Sequence, residues 1–471
     1  MQKYAIAVLG CAAATGLCAQ PAPAQSASQS QQLPPVVVEQ GKPKQPKAHR
    51  KPPRKKEGPA VSRGEAAREP EPAVQPEVQA ALPSAPAGGT AVSSEAVADK
   101  KPATSDTAQL LSGVPGVSVY QAGGVSGLPV VHGMEDERVK IQVNGMVVSA
   151  ACANHMNPAL SYVDPASVKQ MQVIAGITPV SAGGDSIGGT IVVESAGPRF
   201  AAPGEGVITY GTVSVFGRSN GDGLTTSGSV SAATENMNIT YTGAWARSSD
   251  YKDGNGDAVR STLYEAQNHM LSLAARSNTD MLVIQGGVQD IPYQGFVNER
   301  MDMTANTAWF LNGRYTGQFD WGKLDFRAYY QNTMHEMDFL SDGNKAKYYM
   351  GGFHMPMHTH GENFGYALKA ELPQSSRDML RVGSDFHGFL LDDWWPPVPG
   401  TAPMMGPNTF WNINGGERYD LGTFIEWERK WDAQWTTLLG VRNDVVWMNT
   451  GNVQGYSMMY APDAVAFNSQ D

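Results

Sequence analysis

Between residues 206 and 447 the chain is a succession of segments in which apolar and polar residues alternate, and this alternation constrains the fold more than any other feature. Side chains two apart on a strand share a face, so each segment has one apolar and one polar face. About eleven such segments are legible, near 206–218, 224–233, 237–248, 267–276, 280–290, 307–318, 323–337, 363–372, 379–391, 417–429 and 434–447. Their connections alternate in length. Short ones fall at 277–280, 320–323, 373–378 and 430–433, and long ones near 249–266, 291–306, 338–362 and 392–416. Short turns at one end and long loops at the other are the pattern of an antiparallel membrane-spanning barrel with its long loops outside. In the last segment Trp435, Thr437, Leu439, Val441, Val445 and Trp447 share one parity, while Gln434, Thr436, Arg442 and Asp444 share the other. Trp435 and Trp447 would lie roughly 28 Å apart along the membrane normal on a strand tilted by ~45°, close to the ~25 Å apolar band with its aromatic girdles. A soluble β-sandwich also alternates, but it does not order its loops in this way.

Composition agrees. The chain has 471 residues, 51 of them glycine, and a net charge of −10 that disfavours nucleic acid as a partner. Residues 1–24 read as a secretory signal: Lys3 supplies the positive end, Ala5 to Leu17 the apolar core, and Ala22-Pro23-Ala24 an A-x-A-like cleavage site. Past this leader no run of about 20 apolar residues predicts a transmembrane helix. Residues 25–103 are rich in Pro, Ala, Lys, Glu and Gln and are expected to be disordered, since such a composition cannot build a core. The basic run Lys42 to Lys56 reads as a solvated tail, the alternative being a segment that binds anionic lipopolysaccharide or peptidoglycan. Leu33-Pro-Pro-Val-Val-Val-Glu39 is a β-branched run suited to pairing with the sheet edge of a partner.

Residues 104–198 read as a small α/β unit. Val130 to Val148 alternates around Gly133 and the turn signal Asn144-Gly145. A short helix or turn from Ala166 leads into a strand, Lys169 to Ala175, and a glycine-rich stretch from Gly183 ends in the β-branched strand before Glu194.

Of three cysteines, Cys11 and Cys18 fall in the leader, so Cys152 alone remains, in the run Cys152-Ala-Asn-His-Met156. A lone thiol in an exported protein has no internal disulfide partner. With a methionine at i+4, one helical turn would bring two soft sulfurs together, which points to a soft metal, copper(I) first.

Asp106-Thr-Ala-Gln-Leu-Leu-Ser-Gly-Val-Pro-Gly-Val-Ser-Val119 resembles the opening of the plug domain of TonB-dependent outer-membrane receptors. Val173-Ile-Ala-Gly176 and Ser186-Ile-Gly-Gly-Thr-Ile-Val-Val193 resemble its closing motifs. The resemblance implies an α/β plug (104–198) followed by the N-terminal part of a β-barrel (199–471), with about eleven of 22 expected strands. It implies export to the outer membrane and coupling to the TonB–ExbB–ExbD complex. By the same resemblance Val36, Val37 and Val38, within 33–39, are the candidate TonB box. A long Pro-rich spacer separates this box from the plug, a departure from the family pattern.

The seventh segment carries a second metal-like pair. Leu324, Phe326, Ala328 and Tyr330 are expected to face lipid, and Asp325, Arg327, Gln331 and Thr333 the lumen, with His335 and Met337 continuing the lumen parity. If the first strand rises from the periplasm, the seventh also rises, and His335-x-Met337 lies at the outer mouth above the plug. Cys152, Met156, His335 and Met337 would then share one chamber as a soft, closed copper site. These paired motifs resemble those of TonB-dependent copper receptors, in which a plug CxxxM and a barrel HxM hold the metal. Copper would be the transported cargo, and no catalytic cofactor is expected. His155 reads as a bystander. His354, Met355, Met357, His358 and His360, with Met350, form a candidate capture patch in the loop after the seventh strand, and Met404-Met405 and Met458-Met459 suit the same idea.

The terminus Asn468-Ser-Gln-Asp471 lacks the final aromatic residue common in outer-membrane barrels, and eleven strands would leave edges unpaired in lipid. The expectation is therefore an N-terminal fragment. Two alternatives to copper uptake are a receptor for zinc or a metal chelate, disfavoured because zinc sites rarely use methionine, and a copper-binding surface or redox protein. No Ser-His-Asp arrangement or nucleotide loop points to an enzyme.

Overall fold

The computed structural model describes residues 89–471, apart from 177, 185, 341–342, 402–407, 453, 455–464, 467 and 470–471. The leader, most of the arm, the TonB-box candidate at 33–39 and both Met pairs at 404–405 and 458–459 lie outside the described residues.

The first folded body is a mixed sheet. Its strands are β1 (Gly89–Val92), β4 (Val139–Val143), β5 (Met146–Val147), β6 (Val168–Ile174) and β7 (Gly189–Ser195), in the order β1-β6-β7-β4-β5. Only β4 and β7 run parallel. A separate hairpin pairs β2 (Val117–Gln121) with β3 (Gly127–Val131). Asn144 and Gly145 both take positive φ, 47° and 75°, which closes the β4–β5 hairpin as its sequence predicts. The core holds Leu110, Leu111, Leu160, Met171 and Ile191, all without exposed surface. Helix α1 (Ser94–Lys100) is capped by the Ser93 hydroxyl, which accepts from the Ala96 N–H, and buries Val97. Among the described residues this body includes β1 and α1, which lie before 104. Thr90 and Ala91 carry no sequence signal of their own, and β1 forms because β6 offers it a hydrogen-bonding edge.

The second body is one antiparallel sheet of eleven strands in sequential order, β8 to β18. They are β8 (Ile208–Arg218), β9 (Gly223–Ala233), β10 (Met237–Ser248), β11 (Tyr264–Arg276), β12 (Asp280–Gln294), β13 (Asp302–Phe319), β14 (Gly322–Asp338), β15 (Met357–Pro373), β16 (Asp378–Trp395), β17 (Phe410–Lys430) and β18 (Thr436–Asn449). The sheet is open, with β8 and β18 at its edges. Its outer face carries exposed apolar residues such as Leu282, Ile284, Trp309, Leu311, Phe326 and Val441. Its inner face lies against the first body and buries Asn306, Asn312, Gln331 and Thr333. Trp321, Trp431 and Trp435 cluster at the short turns, where a membrane interface would meet them. No helix among the described residues is long and apolar enough to cross a membrane.

Six strands reach further toward the long loops than the sequence indicates: β11 starts at Tyr264, β13 at Asp302, β15 at Met357 and β17 at Phe410, and β12 runs on to Gln294 and β16 to Trp395. The connection between β14 and β15 contains a second helix, α2 (Gly343–Met350).

Candidate metal centre

The plug loop after β5 carries Cys152 and Met156. It is not a helical turn; a single hydrogen bond from the His155 N–H to the Cys152 carbonyl tightens it, and His155 sits at φ 52°. The loop is docked on the wall at several points. Asn363 on β15 holds Ser149 through two bonds, receiving its N–H at 3.0 Å and donating to its carbonyl at 3.1 Å. A Cβ added at Gly361 would stand 2.8 Å from the Ala151 Cβ, so only a glycine lets the loop lie this close to β15. Asn157 donates to Asn306 on β13 at 3.0 Å, and the Tyr162 hydroxyl accepts from the Ala151 N–H at 3.1 Å.

This docking brings the plug sulfurs to the wall motif. Cys152, Met156 and Met337 pack in one buried cluster, together with Met303 and Met357. Strand register explains the last two: Met337 on β14 lies opposite Met303 on β13 and Met357 on β15. His335, two residues before Met337 on the same face, has no exposed surface, and neither of its ring nitrogens has a partner. Buried polar atoms are nearly always satisfied, so an orphaned imidazole beside a sulfur cluster is a donor without an acceptor. Burial pushes the Cys152 thiol above its ordinary range; backbone N–H groups of Met156, Asn154 and Asn157 directed at the sulfur oppose this, and the Asp393 carboxylate adds to the rise. A soft cation would reverse the balance by binding the thiolate. Among the described residues no three His, Cys, Asp or Glu side chains form a metal-type cluster. Any metal held here depends on the thioethers.

His155 points elsewhere. Its ring lies 3.0 Å from Glu137 and 3.7 Å from Asp136. Burial disfavours its charge, but these carboxylates outweigh burial and raise its pKa. It lines a cavity of about 500 Å³ between the plug and strands β16 to β18, and Cys152 lines the same cavity.

The capture patch is not one loop surface. Because β15 begins at Met357, alternation divides the residues between two faces. Met355 and Met357 are buried in the sulfur cluster, as is Met350 at the end of α2. His358 and His360 face outward, where His358 meets Glu336 at 3.4 Å and His360 meets Asn332 at 2.6 Å. His354 is exposed and bonded to Asp338 at 2.9 Å. Sequence reasoning missed Met303, Asn157, Asn306 and Asp393. The parity of β13 and β16 would have found Met303 and Asp393 had those strands been extended to their true ends.

Residues 82–190 match the family model described as TonB-dependent Receptor Plug Domain. No curated protein sequence matches the chain. Among solved structures the chain is similar to the Copper transporter OprC, with a TM-score of 0.68, 22% identity, and coverage of 77% of this chain and 56% of that one. It is also similar to the FrpB iron transporter from Neisseria meningitidis, with a TM-score of 0.56, 16% identity, and coverage of 75% and 59%. The siderophore receptor PirA from Pseudomonas aeruginosa gives 0.53, 16%, and 77% and 57%. The chain thus spans less than two thirds of the length of these structures. Its plug followed by an open antiparallel wall is the fold of a TonB-dependent outer-membrane receptor.

Proposed function

We propose that this chain belongs to an outer-membrane receptor that imports copper ions, holding the metal between Cys152 and Met156 of the plug and His335 and Met337 of the wall. One observation carries the reading: Cys152, Met156 and Met337, from two bodies, meet in one buried cluster beside an imidazole with no partner. Two thioethers, a thiolate and an imidazole form a soft donor set suited to copper(I). Met303 and Met357 add thioethers to the enclosure. The similarities to a copper transporter and to iron and siderophore receptors all extend to the fold, and the first of them is in keeping with this reading. Zinc, which prefers nitrogen, thiolate and carboxylate donors, fits the set poorly. Energy for release would come from the TonB–ExbB–ExbD complex, engaging the arm at Val36–Val38. The chemistry is binding and translocation; no residue of the chamber is asked to make or break a covalent bond.

The test is metal content by elemental mass spectrometry after loading with copper and zinc in competition. About one copper per wild-type chain is expected at a single site of this kind, lost in Cys152→Ala and in Met156→Ala with Met337→Ala. Copper retained by these variants, or zinc preferred by the wild type, overturns the reading.

A further inference from the structure

Four neighbouring strands place one residue each at the same level of the wall: Asn306 on β13, His335 on β14, Thr359 on β15 and Asp393 on β16. None of the four has exposed surface. Asn306 is satisfied, since it accepts from Asn157 and donates to Gln289. Beyond it the row is incomplete: both His335 nitrogens, the Thr359 hydroxyl and Asp393 Oδ1 have no partner. Asp393 Oδ2 accepts from the Asn412 side chain at 2.8 Å, and among the described residues no cation pairs with this carboxylate.

A carboxylate buried without a cation is costly, because desolvation is not offset by an opposite charge. Asp393 stands two strand spacings from His335, roughly 10 Å. That is too far to share a metal with the imidazole and near enough, among buried groups, for its charge to be felt.

We propose that Asp393 is the second negative charge of the chamber, a specificity-determining residue that balances a divalent cargo without bonding to it. This rests on the copper-site reading above. The Cys152 thiolate alone neutralises a monovalent cation; thiolate and Asp393 together neutralise a divalent one. The wall therefore suits the chamber to both charge states of a soft metal, through a residue outside the donor set.

Coulomb energy scales with the charge of the cation, so removing Asp393 must weaken a divalent ion by the square of the factor for a monovalent one. Silver(I) and cadmium(II) are suitable probes, being soft and unable to oxidise the thiol under these conditions. Asp393→Asn is expected to weaken silver(I) about tenfold and cadmium(II) about a hundredfold, as measured by competition titration of the purified receptor in detergent. Asp392→Asn is the control, because Asp392 lies on the other face and accepts from the Gly415 N–H at 2.6 Å; both affinities should be unchanged. Asp393→Glu keeps the charge and should keep the wild-type ratio of the two affinities. If Asp393→Asn does not assemble, Asp393→Ser against Asp393→Glu carries the same comparison. Equal weakening of both ions, or none, overturns the role of Asp393 while leaving the metal site intact. A wild type that binds neither ion overturns both readings.

Discussion

The interface between plug and wall has two levels that differ in charge: the lower is rich in ion pairs, although Arg327 Nε and Asn312 Oδ1 there have no partner, and the upper sets unpartnered groups beside sulfurs. Nearer the short turns the following charges are matched. Arg442 reaches Asp385 and Asp444, each at 2.7 Å; Arg381 reaches Glu426 at 3.1 Å and Glu428 at 2.8 Å; Arg314 meets Asp325 at 2.5 Å. The plug joins this level through Ser181, whose hydroxyl donates to Glu426 at 2.8 Å. At the outer level His335, Thr359 and Asp393 have buried atoms with no partner, set beside a cluster of sulfurs. Ion pairs hold parts of a fold together, whereas unpartnered buried groups of complementary chemistry suit a ligand. On the proposed reading the lower level seats the plug and the upper level takes the cargo.

The comparison fails if the two levels cannot be separated by mutation. The largest expected effect is at the upper level: Cys152→Ala should abolish copper retention through gel filtration while leaving the urea midpoint near that of the wild type. Next, Arg442→Ala leaves Asp385 and Asp444 without their cation and should cost about 3 kcal/mol in urea unfolding, with copper affinity unchanged. If copper affinity falls in parallel with stability, the levels are one cooperative unit.

A pH test addresses the stability of the plug itself. Burial raises the Asp106 carboxyl of the plug to about 6, although the N–H groups of Ala108 and Gly127 and the Gln121 amide favour its charged form. A carboxyl raised on folding stabilises the fold below its unfolded pKa and loses that contribution as pH rises through the folded value. The plug should therefore lose about 3 kcal/mol from this group between pH 4 and 7. Asp106→Asn should flatten that part of the stability profile, measured by urea midpoints across the range. An unchanged slope would show that Asp106 is not the group responsible.

A smaller effect is expected where the levels touch. Asn157→Ala removes the bond that ties the Cys152 loop to Asn306, and should weaken copper about tenfold, as loss of an outer support typically does. The smallest effect belongs to His354→Ala, an exposed side chain on Asp338, which should leave copper affinity unchanged at equilibrium.

The sequence made the wall legible wherever lipid faces one side. On β14, Phe326 and Met334 stand out from the wall while Gln331, Thr333, His335 and Met337 are buried inside, in the alternation that the residues predict. Above the membrane the contrast disappears, because outward residues such as Glu336, His358 and Asp392 meet water and are as polar as those facing inward. Strand ends at 302–306, 357–362 and 392–395 therefore read as loop, and they carry Met303, Met357 and Asp393. The four proposed ligands were visible because their motifs are local. Asn157 and Asn306 were not, since their value comes from a pairing across 149 residues of chain. Strand β1 was hidden because it is defined by its partner β6 rather than by its own composition.

Cys152 and Met156 belong to one body and His335 and Met337 to another, and this division has a thermodynamic consequence. On the proposed reading the affinity for copper is a function of where the plug sits: a small displacement halves the number of donors. By linkage the reverse also holds, and each copper bound stabilises the seated plug by the same free energy that seating adds to binding. A loaded receptor would thus resist opening more than an empty one, and the work needed to draw the plug aside would be greatest when there is cargo to release.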